Sequence, residues 1–128
     1  FITTSGALRC QGEANAIGAG SAVGTRFGTS LADVGDVPLS LADGERVLRV
    51  AAGERDTCAL TSLNRIVCFG RNMNGEAGLG SRASLVRPEN AQSVPLGVNE
   101  VLDVRGRWKF MCAVVRATPG ARASLRRW

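Results

Sequence analysis

The 128-residue chain has no histidine, no tyrosine and only 5% aromatic residues. Without histidine the commonest general base is missing, together with the Ser-His and Cys-His pairs that activate nucleophiles. Catalysis is therefore not expected, and no residue is given a catalytic, cofactor-binding or metal-binding role. The shortage of aromatics leaves a core to be built from Val, Leu, Ala and Ile. No apolar run approaches the roughly 20 residues of a membrane-spanning helix, so no membrane partner is expected. No charged leader or apolar export segment precedes the first repeat, which begins at Phe1, and the chain reads as an excerpt of something longer. Lysine is nearly absent too: Lys109 is the single Lys among 16 basic residues, an Arg bias that fits a GC-rich, bacterial genome.

What the chain has instead is glycine, 16 residues of it, and 45% hydrophobic residues. Short apolar runs broken by glycine and polar clusters favour short strands over long helices. Strands are predicted at Arg46 to Ala52, Thr57 to Thr61, Arg65 to Phe69 and Glu100 to Arg105, where β-branched and aliphatic residues alternate. The polar stretch Thr61-Ser62-Leu63-Asn64-Arg65 has the length of a hairpin turn and places Cys58 opposite Cys68 and Leu60 opposite Ile66. Thr3-Thr4-Ser5-Gly6-Ala7 occupies the matching place in an earlier copy.

Those copies are the main signal. Val50 to Cys58 matches Val104 to Cys112, Val37-Pro38-Leu39 matches Val94-Pro95-Leu96, and Leu8-Arg9-Cys10-Gln11-Gly12 matches Ile66-Val67-Cys68-Phe69-Gly70, all at nearly the same offset. A period of about 55 residues marks a repeat architecture, in which one unit buries its apolar face only against a neighbour. After the hairpin runs Gly70-Arg71-Asn72-Met73-Asn74-Gly75-Glu76-Ala77-Gly78-Leu79-Gly80, read as a tight crossing between units. A phosphate cradle would need a strand leading into a helix N-terminus, and usually a Lys, neither of which is visible.

Four cysteines allow three readings. Cys58 and Cys68 are the disulfide candidate, reachable across antiparallel strands; reduced cysteines packed between strands are the alternative. Zinc would need a close ligand pair or histidine, and Cys10, Cys58, Cys68 and Cys112 supply neither. The sequence does not set the compartment, although oxidised cysteines would fit an exported or cell-surface protein. The carboxylates Asp33, Asp36, Asp43, Glu45, Glu54 and Asp56 are read as solvated loop groups. Arg116, Arg122, Arg126 and Arg127 concentrate much of the net charge of +5 in one terminal stretch. A solvated tail explains that cluster more simply than a nucleic-acid surface.

These motifs resemble the regulator of chromosome condensation repeat, whose units build seven-bladed β-propellers. The resemblance rests on Gly53-Glu54-Arg55-Asp56-Thr57-Cys58-Ala59-Leu60, on Val67-Cys68-Phe69-Gly70, and on Gly70-Arg71-Asn72 through Gly75-Glu76-Ala77-Gly78-Leu79-Gly80. Asp56 stands where the family usually has His, Phe69 where it has Trp, and Glu76-Ala77 where it has Gln-Leu. The resemblance implies an all-β fold of antiparallel hairpin repeats over residues 1–115, with unit boundaries near 12–69 and 70–115. About two blades are present, so the ring is not closed within the chain. Residues 116–128 are expected to be a basic, poorly ordered, off-pattern tail. The strand around Cys10 and the strand Met111 to Val115 are both expected to be open edges, covered by neighbouring repeats or by pairing of Met111 to Val115 with Ala7 to Cys10 of another copy. By resemblance the function is a scaffold binding a protein through loops on one face, with Glu54, Arg55, Asp56, Arg71, Asn72, Met73 and Asn74 as candidate contacts. The same resemblance offers two alternatives: a nucleotide exchange factor for a small GTPase with chromatin contact, and a secreted enzyme inhibitor.

Overall fold

The computed structural model describes residues 1–12 and 34–128, so Asp33 lies outside the described residues. Seven strands form two antiparallel sheets, with no α-helix among the described residues. The first sheet has the order β1 (Val47–Ala52), β2 (Asp56–Thr61), β3 (Ile66–Arg71), β4 (Leu85–Val86); the second has β5 (Glu100–Arg107), β6 (Phe110–Arg116), β7 (Ser124–Arg127). The chain is therefore all-β, built of two open sheets, as expected of partial propeller blades.

The β2–β3 hairpin closes as the polar stretch predicts. Thr61 N–H donates to Arg65 C=O at 2.9 Å, and Asn64 takes φ of 61°, the left-handed conformation that Asn tolerates better than most residues. The register sets Cys58 against Cys68 and Leu60 against Ile66, and the two cysteines form a disulfide. All six residues of β2 are buried, because the second sheet and the N-terminal residues Leu8, Val37 and Leu39 join the same core. Phe69, Leu8, Ile66 and Met111 are its largest fully buried side chains, each worth about 1.5–3 kcal/mol of apolar burial.

The repeat seen in the sequence recurs in the hydrogen bonds. Val37 N–H donates to Leu8 C=O at 2.7 Å, and Val94 N–H donates to Ile66 C=O at 2.8 Å. A register shift falls between Val47 and Arg49 in β1 and again, at the equivalent place of the next copy, between Val101 and Asp103 in β5. Such bulges bend a strand and raise its twist.

Two expectations need correction. The stretch from Arg116 is not a poorly ordered tail throughout: Ser124–Arg127 is β7, antiparallel to β6 in the register Cys112↔Arg127 and Val114↔Leu125. Consequently Met111 to Val115 is not an open edge for a second copy, since β5 and β7 occupy its two sides. Trp128 continues the pairing, exchanging backbone hydrogen bonds with Met111 at 3.1 and 3.2 Å.

The sheets are clamped at both ends of the hairpins. At one end Asn64 reaches across, donating from its side-chain nitrogen to Asn99 C=O at 2.7 Å and accepting from Val101 N–H at 2.7 Å. At the other, Glu54 N–H donates to Trp108 C=O at 2.7 Å. The second clamp brings the β1–β2 turn and the β5–β6 turn together, and with them the candidate site.

Candidate functional site

Three segments meet at this end of the sheets: the β1–β2 turn, the β5–β6 turn at Trp108-Lys109, and the start of the glycine loop after β3. They enclose a narrow crevice of about 10 Å³, room for about one water molecule, lined by Asp56, Arg71, Glu76, Trp108 and their neighbours. Of the sequence candidates, Glu54, Met73 and Asn74 are exposed and Arg55 and Arg71 half-buried. Asp56 and Asn72 are buried, at 3% and 0% exposure, so neither is a surface contact. The physical reason lies in the loop: Asn72 commits its amide to the backbone, accepting from Ala77 N–H at 2.8 Å and donating to Ser81 C=O at 3.0 Å. Polar side chains can be internal wherever the backbone of a turn needs partners.

Glu45, also read as solvated, is buried as well. It accepts from Arg65 Nε at 2.9 Å and Nη2, and from Ala42 N–H at 2.8 Å. The Arg65 hydrogen bonds outweigh desolvation and hold its carboxyl down at about 2. Asp56 is the opposite case. Burial first, then the charges of Glu76 and Glu54, outweigh a backbone hydrogen bond from Arg55 and raise its carboxyl to about 6. Its Oδ2 is buried with no hydrogen-bond partner, and so is Nε of Arg71. A Cβ on Gly53 would run into Asp56 Oδ1 and stand 2.9 Å from Trp108 C=O, so only glycine lets the two turns close over this carboxylate.

Glu76 stays ionised in the floor. Burial pushes its carboxyl up, but its own backbone N–H, Asn74 N–H at 2.8 Å, Asn74 Nδ2 at 2.7 Å and the Arg71 charge bring it below its ordinary value. Trp108 forms part of the roof. It is 67% exposed, and its φ of 53° is a left-handed conformation that a bulky side chain rarely adopts. Strain of this sort survives only where the surrounding structure enforces it. Met73, 54% exposed, adds a second apolar group to this end of the molecule.

Sequence reasoning missed Trp108, Lys109 and Glu76. For the first two the signal was available, since Trp108-Lys109 stands at the turn equivalent to Glu54-Arg55 when Val104 to Cys112 is laid on Val50 to Cys58. A second concavity, a groove of about 440 Å³ between β1 and β5 lined by Leu48, Val50, Asp103 and Arg105, is far roomier than the crevice at Trp108. Its carboxylate, Asp103, is already paired with Arg105 at 2.7 Å and faces Arg49 at 3.8 Å.

No family model matches the chain, and no curated protein matches it. Solved structures do. The crystal structure of human WBSCR16 superposes with a TM-score of 0.67 at 20% identity, covering 91% of this chain and 28% of that one. A chain in the crystal structure of Kap60 bound to yeast RCC1 (Prp20) superposes with a TM-score of 0.52 at 17% identity, covering 67% of this chain and 22% of that one. The chain shares its fold with part of each of these structures, in keeping with partial propeller blades. This chain spans about a quarter of the length of the structures it matches, and at such identities the likeness concerns architecture alone.

Proposed function

We propose that the chain is a protein-interaction module that docks a partner on the end of the sheets formed by the turns at Glu54-Arg55 and Trp108-Lys109 and by the start of the glycine loop. The observation that carries this reading is Trp108, a mostly exposed indole held in a strained backbone conformation over a cleft with unpaired polar atoms. Exposed Trp, Met and Arg are the side chains most often enriched at protein interfaces, and Trp and Arg the commonest hot spots. Glu54, Arg55, Arg71, Met73 and Asn74 surround it, while Asp56 and Asn72 shape the surface from below. One of the matched structures is itself a protein bound to a protein, which supports a protein partner over a nucleic acid.

The test is site-specific photo-crosslinking in the native host. A photo-reactive residue at Met73 should give a discrete protein adduct that disappears when Trp108→Ala is added. The same residue at Leu63, in the β2–β3 turn at the far end, should give none. Equal labelling from both positions, or adducts indifferent to Trp108, would end this proposal. A salt titration against duplex DNA tests the nucleic-acid alternative, which requires affinity falling steeply with salt.

A further inference from the structure

We infer that the groove between β1 and β5 receives an extended segment of a protein partner, with acidic and aliphatic residues in alternation, paired along the free edge of β1. The walls of this groove are strand edges: consecutive residues, Leu48 to Ala52 on one side and Asp103 to Gly106 on the other, line its 440 Å³. β1 has β2 on one side and no strand on the other, and β5 likewise has only β6. No backbone hydrogen bond joins β1 to β5 among the described residues. The two strands converge at one end, where a Cβ on Gly106 would stand 2.8 Å from Ala52 C=O, so the groove narrows there. An edge of this kind offers N–H and C=O groups to any extended chain that lies beside it. The two edges are unequal, however. Val104 N–H is already met by Asp103 Oδ1 at 2.9 Å, which blunts β5. No side chain does the same for Leu48 to Ala52 among the described residues, which leaves about 16 Å of β1 edge at about 3.3 Å per residue.

Charge and apolar surface select the occupant. Two cations, Arg49 and Arg105, line the groove with a single carboxylate, Asp103. Asp103 is committed to Arg105, accepting from its Nε at 2.8 Å, whereas Arg49 Nε stays 3.8 Å from it with a side chain 60% exposed. One cation is thus left for a partner's carboxylate. Leu48 and Val50, both exposed, flank Arg49 in sequence and supply apolar surface on the same edge. Side chains of paired strands meet across the pair on the same face, and each strand alternates faces with period two. A segment lying on this edge therefore sets carboxylates against Arg49 and aliphatic groups against Leu48 and Val50. In strand addition of this sort the main-chain hydrogen bonds give affinity and the alternate side chains give specificity. A nucleic-acid strand would meet Arg49 but leave Leu48, Val50 and the backbone edge unanswered.

The test uses the whole chain and end-blocked octapeptides, with the amides of Leu48, Val50 and Arg105 followed by NMR. A peptide of alternating Glu and Val should saturate these amides with a Kd on the order of 0.1 mM, as a few hydrogen bonds on an exposed edge allow, and leave Leu63 and Met73 unmoved. Alternating Lys and Val should bind at least about tenfold more weakly. Of two N-methylated forms of the acidic peptide, one for each alternate set of amides, one should fail to saturate and the other should still bind, because only one set faces β1. Arg49→Glu should invert the charge preference. Equal binding of the acidic and basic peptides, equal behaviour of the two N-methylated forms, or saturation of the same amides by oligothymidylate overturns the inference. So does the absence of saturation by the acidic peptide up to about 2 mM. The peptide comparisons use the unaltered chain, so they decide the question even where Arg49→Glu does not fold. The groove is separate from the Trp108 end, and the Met73 crosslinking result stands or falls without it.

Discussion

The two sheets are copies of one design finished by different means. In the first, Cys58 and Cys68 face each other and are bonded; in the second, Cys112, the counterpart of Cys58, is unbonded and half-exposed, and the residue opposite it is Arg127. β2 is buried at every position, whereas β6 alternates, with Met111, Ala113 and Val115 inside and Phe110, Cys112 and Val114 partly or fully exposed. The first sheet thus carries a covalent tie and a buried ion pair, Glu45–Arg65. The second is completed by the chain's last residues, which pair with β6 and anchor through Trp128. Sheets with the same register can therefore differ in what must fail before they open.

The largest effect should come from that anchor. Trp128 Nε1–H donates to Glu76 C=O at 3.0 Å, and its ring lies so close to Gly78 that a Cβ there would sit 2.7 Å from it. Trp128→Ala should cost about 3 kcal/mol, near the low end for truncating a large aromatic, because the ring is only partly buried. Amide exchange of Met111 and Ala113 should speed up far more than that of Cys58 and Ala59. Uniform loss of protection across both sheets would show that they open as one unit. Gly78→Ala should reproduce the effect from the other side of the contact, since Gly78 also has φ of 70°.

The ion pair makes acid a selective probe of the first sheet. Glu45 has a folded pKa of about 2 against 4.5 for the free side chain. Its depressed value contributes stability that is present above pH 4.5 and lost as pH falls towards 2, up to about 3 kcal/mol. The corresponding residue of the second sheet, Asn99, does not titrate. Glu45→Gln should remove this part of the acid sensitivity, measured by denaturant melts between pH 2 and 6.

The covalent tie should weigh slightly less. Replacing Cys58 and Cys68 together by Ser opens a loop of sequence separation 10, worth about 2.5 kcal/mol in the chain-entropy account. Arg127→Cys sharpens the comparison by giving Cys112 the partner that its counterpart has. In oxidising buffer it should raise stability by about 1–3 kcal/mol, abolished by reductant. No gain would mean that the Cys112↔Arg127 register is not held in solution.

Much of this was legible in the residues, and the exceptions have identifiable causes. Four of the five long strands, β1, β2, β3 and β5, and the Cys58↔Cys68 pairing followed from aliphatic runs between polar turns, because side-chain alternation is fixed by the pleat. β7 escaped notice since Arg126 and Arg127 break the alternation, and all four of its residues are exposed. Its trace was the parallel between Leu125-Arg126-Arg127-Trp128, Ile66-Val67-Cys68-Phe69 and Leu8-Arg9-Cys10-Gln11. That last copy sits a few positions further along than the match of Val104 to Val50 would place it, which hid the parallel. In the candidate site, residue polarity misled at Asp56 and Asn72. Whether a turn carboxylate or amide faces water depends on which backbone groups and neighbouring turn lie above it, and for Asp56 that neighbour is Trp108, far along the chain.

The smallest effect isolates the difference between the buried carboxylates of the two ends. Asp56 has a folded pKa of about 6 against 3.8 for the free side chain, so between those values the folded chain binds more protons than the unfolded one. Stability is then highest near pH 4 and falls as pH rises through 6, opposite in sign to the Glu45 contribution. Asp56→Asn removes the buried charge but leaves an amide that also lacks partners, so the gain at pH 7.5 should be only about 1–2 kcal/mol. The diagnostic is the slope: the variant should lose the decline between pH 4 and 6 while keeping the rise between pH 2 and 4.5. An unchanged decline would mean that Asp56 is solvated and not enclosed between the β1–β2 and β5–β6 turns.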